Sequence, residues 1–163
     1  MLNNLSSNNL LNIDNNYKKA FSIGYNYLIS KKFNENDAVM FDIDDTLIDF
    51  YENPIEEIVN LLIEVYKLKL KIIIITARSY GNYFNSTFNL LEKYKIPYDL
   101  LFFRKNTDDV NTFKHLIKKR LYDENNIVII LSIGDNWIDV EGEYSGAYIK
   151  LPNYIDNQLY TSL

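Results

Sequence analysis

The chain has 163 residues, 47% of them hydrophobic and none of them cysteine, with a formal charge of -5 and a pI near 4.9. That length holds one sizeable core but no second full domain, and the acidic balance argues against a broad basic face for nucleic acid. The lack of cysteine removes disulfides, thiolate metal sites and a cysteine nucleophile, and the absence of a long apolar run or an export-type leader predicts a cytoplasmic protein without a membrane span.

Residues 1–15 are polar and rich in asparagine and are expected to form a flexible arm ahead of a domain spanning 16–163. From Tyr17 onward, Ala20, Phe21, Tyr25 and Leu28 recur at helical spacing, which predicts an amphipathic helix with its aromatics in the core. Next, an apolar run at 38–41 ends abruptly in Asp42, Asp44 and Asp45, followed by Thr46. This is the pattern of a buried strand delivering carboxylates to a sheet edge. Pro54 opens a helix that reaches about residue 70, and a β-branched block at 72–75 then ends in Thr76, Ala77 and Arg78.

A helix over 80–94 is broken at Pro97, and a short strand at 99–103 ends at Arg104 and Lys105. Asp108 or Asp109 is expected to cap the next helix, with Phe113, Leu116, Ile117 and Leu121 on its apolar side and Lys114, Lys118 and Lys119 elsewhere. Residues 127–133 form another buried strand that ends in Gly134-Asp135-Asn136-Trp137-Ile138-Asp139, and 147–151 is a last strand before Pro152. The alternation predicts an α/β fold: one Rossmann-like domain with a mostly parallel sheet flanked by helices.

Taken singly, an aspartate after a strand is more often a turn former than a catalyst. Here several strands end in such groups, and a doubly wound sheet gathers those ends at one edge. Carboxylates crowded there repel one another unless a cation compensates, and with no cysteine and one histidine an oxygen-ligand site for Mg2+ is the natural choice.

The ordered segments FDIDDTL, IIIITAR, a lysine at a helix start and IGDNWID resemble the four signatures of the haloacid dehalogenase (HAD) superfamily. Within it, DIDDTL and GDNWIDVEGEYSGAYIKLPN resemble the capless subfamily III acid phosphatases, a group that includes plant vegetative storage proteins. The resemblance implies that Asp42 is a nucleophile forming an aspartyl-phosphate, that Asp44 is the acid and base, and that Thr76 and a lysine stabilise the phosphoryl group. Lys114 is favoured for that lysine over Lys105. It further implies Mg2+ held by Asp42, the Asp44 carbonyl and Asp135, with Asp139 supporting the metal's waters or the lysine. Arg78, Arg104, Lys105 and Asn136 are candidate substrate contacts, although exposed loop charge is an equally simple reading of the arginines.

Neither the interval from Asp42 to Thr76 nor that from Thr76 to Lys114 holds a folded cap, so an open crevice is expected. The activity implied is Mg2+-dependent, acid phosphatase- or nucleotidase-like hydrolysis of a phosphorylated small molecule or nucleotide, with no membrane or extended nucleic-acid partner. A second subunit is one way to cover the crevice. Two alternatives stand beside this reading. The segment 87–114 has some likeness to the phosphatase domain of polynucleotide kinase-phosphatases, which implies a 3′-phosphatase; a non-catalytic storage or binding protein on the same fold is the other. Asp45 is expected to cap the following turn, Trp137 to pack the loop that carries it, and His115 to lie at the surface.

Overall fold

The computed structural model describes residues 2–163, and the side chains of 12 and 14–163. Helix α1 (Leu2–Ile29) leads into strand β1 (Asp37–Phe41), and α2 (Glu56–Lys67), β2 (Lys71–Ser79), α3 (Tyr80–Lys93) and β3 (Leu100–Arg104) follow in alternation. Helix α4 (Phe113–Asn125) then leads to β4 (Val128–Gly134), the one-turn helix α5 (Trp137–Val140), β5 (Ala147–Lys150) and β6 (Tyr160–Thr161). The strand order is β3-β2-β1-β4-β5-β6, parallel except for the antiparallel β5–β6 pair. The predicted α/β class and mostly parallel sheet are therefore present. No inserted domain separates the elements between β1 and α4.

Period-two alternation sends strand side chains to two cores. Val39, Phe41, Ile72, Ile74, Leu131, Ile133 and Ile149 face α1, α2 and α3, where Ala20, Leu28, Ile58, Leu61, Leu62 and Leu91 are buried. Ala38, Met40, Ile73 and Ile75 face α4 through Phe113 and Leu121. Gly24 lets α1 approach closely: a Cβ there would lie 2.7 Å from Leu61 Cδ2.

Several boundaries differ from the sequence expectation. The α1 backbone is helical from Leu2, not from Tyr17, so residue 15 marks no boundary of secondary structure. Strand β6 was unforeseen, because two residues carry no readable periodicity. On α4 the faces are exchanged in part: Leu116 is 58% exposed, whereas Lys114 and Lys118 are buried beside Phe113 and Leu121. Asp109 does not cap α4 but organises the preceding turn, accepting from the Asn111 backbone N–H at 2.7 Å. Among the described residues no helix is long and apolar enough to cross a membrane.

The chain leaves β1 towards β2 and β3, then crosses to β4 on the other side of β1. Loops after β1 and β4 thus diverge, and the crevice opens between their C-terminal ends. Because α2 must seal the larger core, replacing Leu61 with alanine is expected to cost about 2–5 kcal/mol in urea unfolding. A loss under about 1 kcal/mol would show that the α1–α2 contact carries little of the fold.

Candidate active site

Asp42 directly follows β1, and its backbone N–H donates to the Ile133 carbonyl of β4 at 3.0 Å. This bond fixes the first carboxylate at the β1–β4 switch point. The Ile43 carbonyl then accepts from Leu47 and Ile48 at 2.9 and 3.0 Å, closing a tight loop in which Asp45 takes a left-handed φ of 51°. An aspartate tolerates that conformation better than most residues. The turn further on is capped by Asp49, whose Oδ1 accepts from the Tyr51 and Asn53 backbones at 2.9 and 2.8 Å. The capping expected of Asp45 therefore belongs to Asp49.

From α4, Lys114 donates to Asp42 Oδ1 at 2.5 Å and to Asp139 Oδ1 at 2.6 Å, with all three groups buried. Asp139 Oδ2 accepts from the Asn136 backbone N–H at 2.9 Å, so both its oxygens are engaged. Gly134 makes room for this: a Cβ on it would lie 2.3 Å from the Asp139 Cβ. Carboxylate oxygens of Asp42, Asp135 and Asp139 come within 4.8 Å of one another. Thr76, three residues before the end of β2, is fully buried, its Oγ1 accepting from the Arg78 backbone N–H at 3.2 Å.

Burial pushes the Asp42 carboxyl well above the usual range; Lys114 pulls it down, while Asp139 and Asp135 push it up. Asp135 is raised to about 7 by burial and then by Asp139 and Asp45. Burial opposes the charge on Lys114, yet Asp42 and Asp139 outweigh it and raise its pKa. One ammonium thus faces more buried negative charge than it neutralises. An all-oxygen, acidic, incompletely compensated set fits a hard divalent cation. Asp42 has its Oδ2 to offer it and the Asp135 carboxylate is held, among the described residues, only by the side-chain amide of Asn136, whereas the two Asp139 oxygens accept from the Lys114 ammonium and the Asn136 backbone N–H.

Of the remaining candidates, Asp44 lies apart from the crowded carboxylates, with its side chain 55% exposed and paired with Arg78. Arg104 is half-buried at the end of β3, its Nε donating to Ala77 O at 3.2 Å and its Nη1 to Lys105 O at 3.3 Å. Lys105 is an exposed loop residue, its backbone N–H bound to Asp108. Asn136 is directed at its neighbour, its Nδ2 donating to both Asp135 oxygens at 3.0 and 2.9 Å. These bonds orient that carboxylate. Trp137 packs against Tyr148 and Tyr160 as expected, with ring centroids 5.8 and 5.3 Å away. His115 lies partly buried against Tyr144.

Sequence reasoning missed two supporting groups. Lys118, one turn beyond Lys114, donates to the Asp139 carbonyl and to Ser145 Oγ, the latter at 2.8 Å. Burial lowers its pKa to about 7. The i,i+4 spacing of two lysines on a helix with apolar neighbours was the available signal. Asn153 holds the other side, its Nδ2 donating to the Asp135 carbonyl at 2.8 Å.

The fold recurs in known proteins. None of the curated proteins matches the chain. Among solved structures, the class C acid phosphatase from Bacillus anthracis superposes with a TM-score of 0.67 at 15% identity, covering 88% of this chain and 78% of that one. A chain of the Pnkp1/Rnl/Hen1 complex gives 0.59 at 23% identity over 73% of this chain, which spans 47% of that protein's length. DsGPDH of Dunaliella salina gives a TM-score of 0.51 at 19% identity, covering 77% of this chain and 26% of that one. At these identities the superpositions establish the fold. Residues 51–157 match the family model described as HAD superfamily, subfamily IIIB (acid phosphatase). Spanning more than half of the chain, this match shows that the protein belongs to the subfamily IIIB acid phosphatase family of the HAD superfamily.

Proposed function

We propose that this protein is a Mg2+-dependent phosphomonoester hydrolase, acid phosphatase- or nucleotidase-like, that works through an aspartyl-phosphate on Asp42. The observation that carries the reading is the buried Lys114 ammonium 2.5 Å from Asp42 Oδ1, with Asp135 beside them and Asp44 two residues on. In the first step an Asp42 oxygen bonds to phosphorus as the ester P–O bond breaks. The bond pair leaves with the ester oxygen, which takes a proton from Asp44 and departs as an alcohol. In the second, a water oxygen attacks phosphorus and gives its proton to Asp44, which frees phosphate and restores the Asp42 carboxylate. Lys114 and the Thr76 hydroxyl stabilise the charge on the equatorial oxygens. Asp42, the Asp44 carbonyl and Asp135 would hold Mg2+, which supplies further neutralisation where one anion approaches another.

Two cavities flank these groups. One of about 470 Å³ is lined by Tyr17, Asp45, Phe50, Pro152, Asn153 and Tyr154; the other, about 420 Å³, is lined by Asp44, Glu52, Ala77, Arg78, Tyr83 and Ser86. Exposed Phe50 and Tyr154 on the first give a flat organic group, such as a nucleoside, a surface to rest on. A second subunit over this open crevice belongs to the same reading. Polynucleotide 3′-phosphate hydrolysis is the second reading, favoured by the structural likeness to a chain of an RNA repair complex but opposed by the net charge of -5.

A panel of p-nitrophenyl phosphate, nucleoside monophosphates and a 3′-phosphorylated oligonucleotide, with and without Mg2+, tests the proposal. Turnover is expected to need the metal and to fall about 10³-fold or more in Asp42→Asn. Activity retained in that variant, or without metal, contradicts the mechanism. Hydrolysis of the oligonucleotide far faster than of the mononucleotides selects the second reading.

The raised carboxyls give an independent test. With Asp135 at about 7 against 3.8 unfolded, the native state keeps a proton that the unfolded chain releases between those values. Its contribution to metal-free stability therefore falls as pH rises through that window. The increase in Tm on adding Mg2+ is expected to be larger at about pH 7.5 than at about pH 5.5. Asp135→Asn should raise the metal-free Tm at the higher pH and abolish the Mg2+ effect; equal Mg2+ shifts at both pH values would contradict the assignment.

A further inference from the structure

Arg78 sits where the β2–β3 register slips, between Thr76 and Ser79. Such a bulge re-aims a side chain at the end of a strand. Its guanidinium grips Asp44 along one edge, Nε lying 3.1 and 3.0 Å from the two carboxylate oxygens and Nη2 donating to Oδ1 at 2.7 Å. The opposite side, Nη1, donates to Thr87 Oγ1 on α3 at 3.1 Å. Thr87 is fully buried, and a buried hydroxyl without a partner is costly, so this contact anchors the arginine to a rigid helix. Exposure is unequal across the pair: 14% for the Arg78 side chain and 55% for Asp44. The arginine is the fixed end and the carboxylate the working end.

We infer that Arg78 is a positioning residue, which holds the Asp44 carboxylate at the mouth of the cavity it shares with Glu52, Tyr83 and Ser86 so that a proton reaches the leaving oxygen there. The inference rests on the aspartyl-phosphate reading and adds to it the group that orients the acid. A carboxylate on an exposed loop samples several rotamers, and a planar fork removes that freedom in a way a lysine cannot. Direct binding of the substrate phosphate by Arg78 would have to use the two N–H groups that Asp44 and Thr87 leave over.

The two roles separate by leaving group. Departure of an alkoxide requires the proton from Asp44, whereas a nitrophenolate leaves with little help. In Arg78→Gln, and more mildly in the near-isosteric Thr87→Val, kcat/KM, which excludes the hydrolysis step common to all esters, is expected on a nucleoside or alkyl phosphate to fall on the order of 10²-fold and 10-fold respectively. The loss on p-nitrophenyl phosphate should be several times smaller in each variant. Arg78→Lys, which keeps the charge without the fork, should show the same leaving-group bias. Equal losses on both esters, or a rise in KM alone, would overturn the inference in favour of phosphate binding. Equal losses with a lowered Tm would overturn it in favour of a structural tie. Wild-type protein inactive on both esters would instead overturn the underlying phosphatase reading.

Discussion

A single buried ammonium organises the centre of this molecule. Lys114 reaches from α4 to Asp42 after β1 and to Asp139 after β4, joining three elements distant in sequence. A buried lysine is tolerable only with partners, and a buried aspartate likewise; removing one side of such a pair typically costs about 3–5 kcal/mol. The arrangement therefore commits α4 to one rotation about its axis, with a charged face turned towards the sheet edge. Lys118 enforces the same rotation from the next turn, through the Asp139 carbonyl and Ser145.

The same network leaves negative charge over. Asp135 and Asp42 are both raised, with burial as the first cause and neighbouring carboxylates adding to it, and the lone ammonium answers only part of that. Such a surplus of buried negative charge suits a divalent cation. Its supports come from neighbouring loop residues: Gly134 admits Asp139, Asn136 orients the Asp135 carboxylate, and Asn153 holds the Asp135 carbonyl. On the outer side, Asp44 is handled differently, by a fork anchored on α3 through Thr87. Separate fastening lets one carboxylate stay buried and committed while the other stays at the surface.

Much of this was legible in the residues themselves. Apolar runs ending in Asp42, Thr76 and Asp135 announce parallel strands that pool polar ends, because β-branched blocks leave no surface face and the carboxylates must emerge at an edge. Lys114 could be placed by its position at a helix start. What resisted reading were groups whose chemistry contradicts their burial. Lys118 looks like a solvated charge, and Leu116 looks like core, yet the helix turns the first inward and leaves the second exposed. Arg104 and Asn136 resemble free ligand donors, but their hydrogen bonds go to Ala77 O and to Asp135, contacts across loops that local pattern does not encode. Likewise the pairing of Arg78 with Asp44 depends on a bulge in β2, a feature of register rather than composition.

The central claim is that Asp42, held by Lys114, becomes the covalent carrier of phosphate. Acid quench during turnover of a phosphomonoester with Mg2+, followed by peptide mass spectrometry, tests it most directly. Phosphate is expected on the peptide carrying Asp42, and absent from Asp42→Asn. Turnover without any protein-bound phosphate, or phosphate on a different residue, would contradict the account.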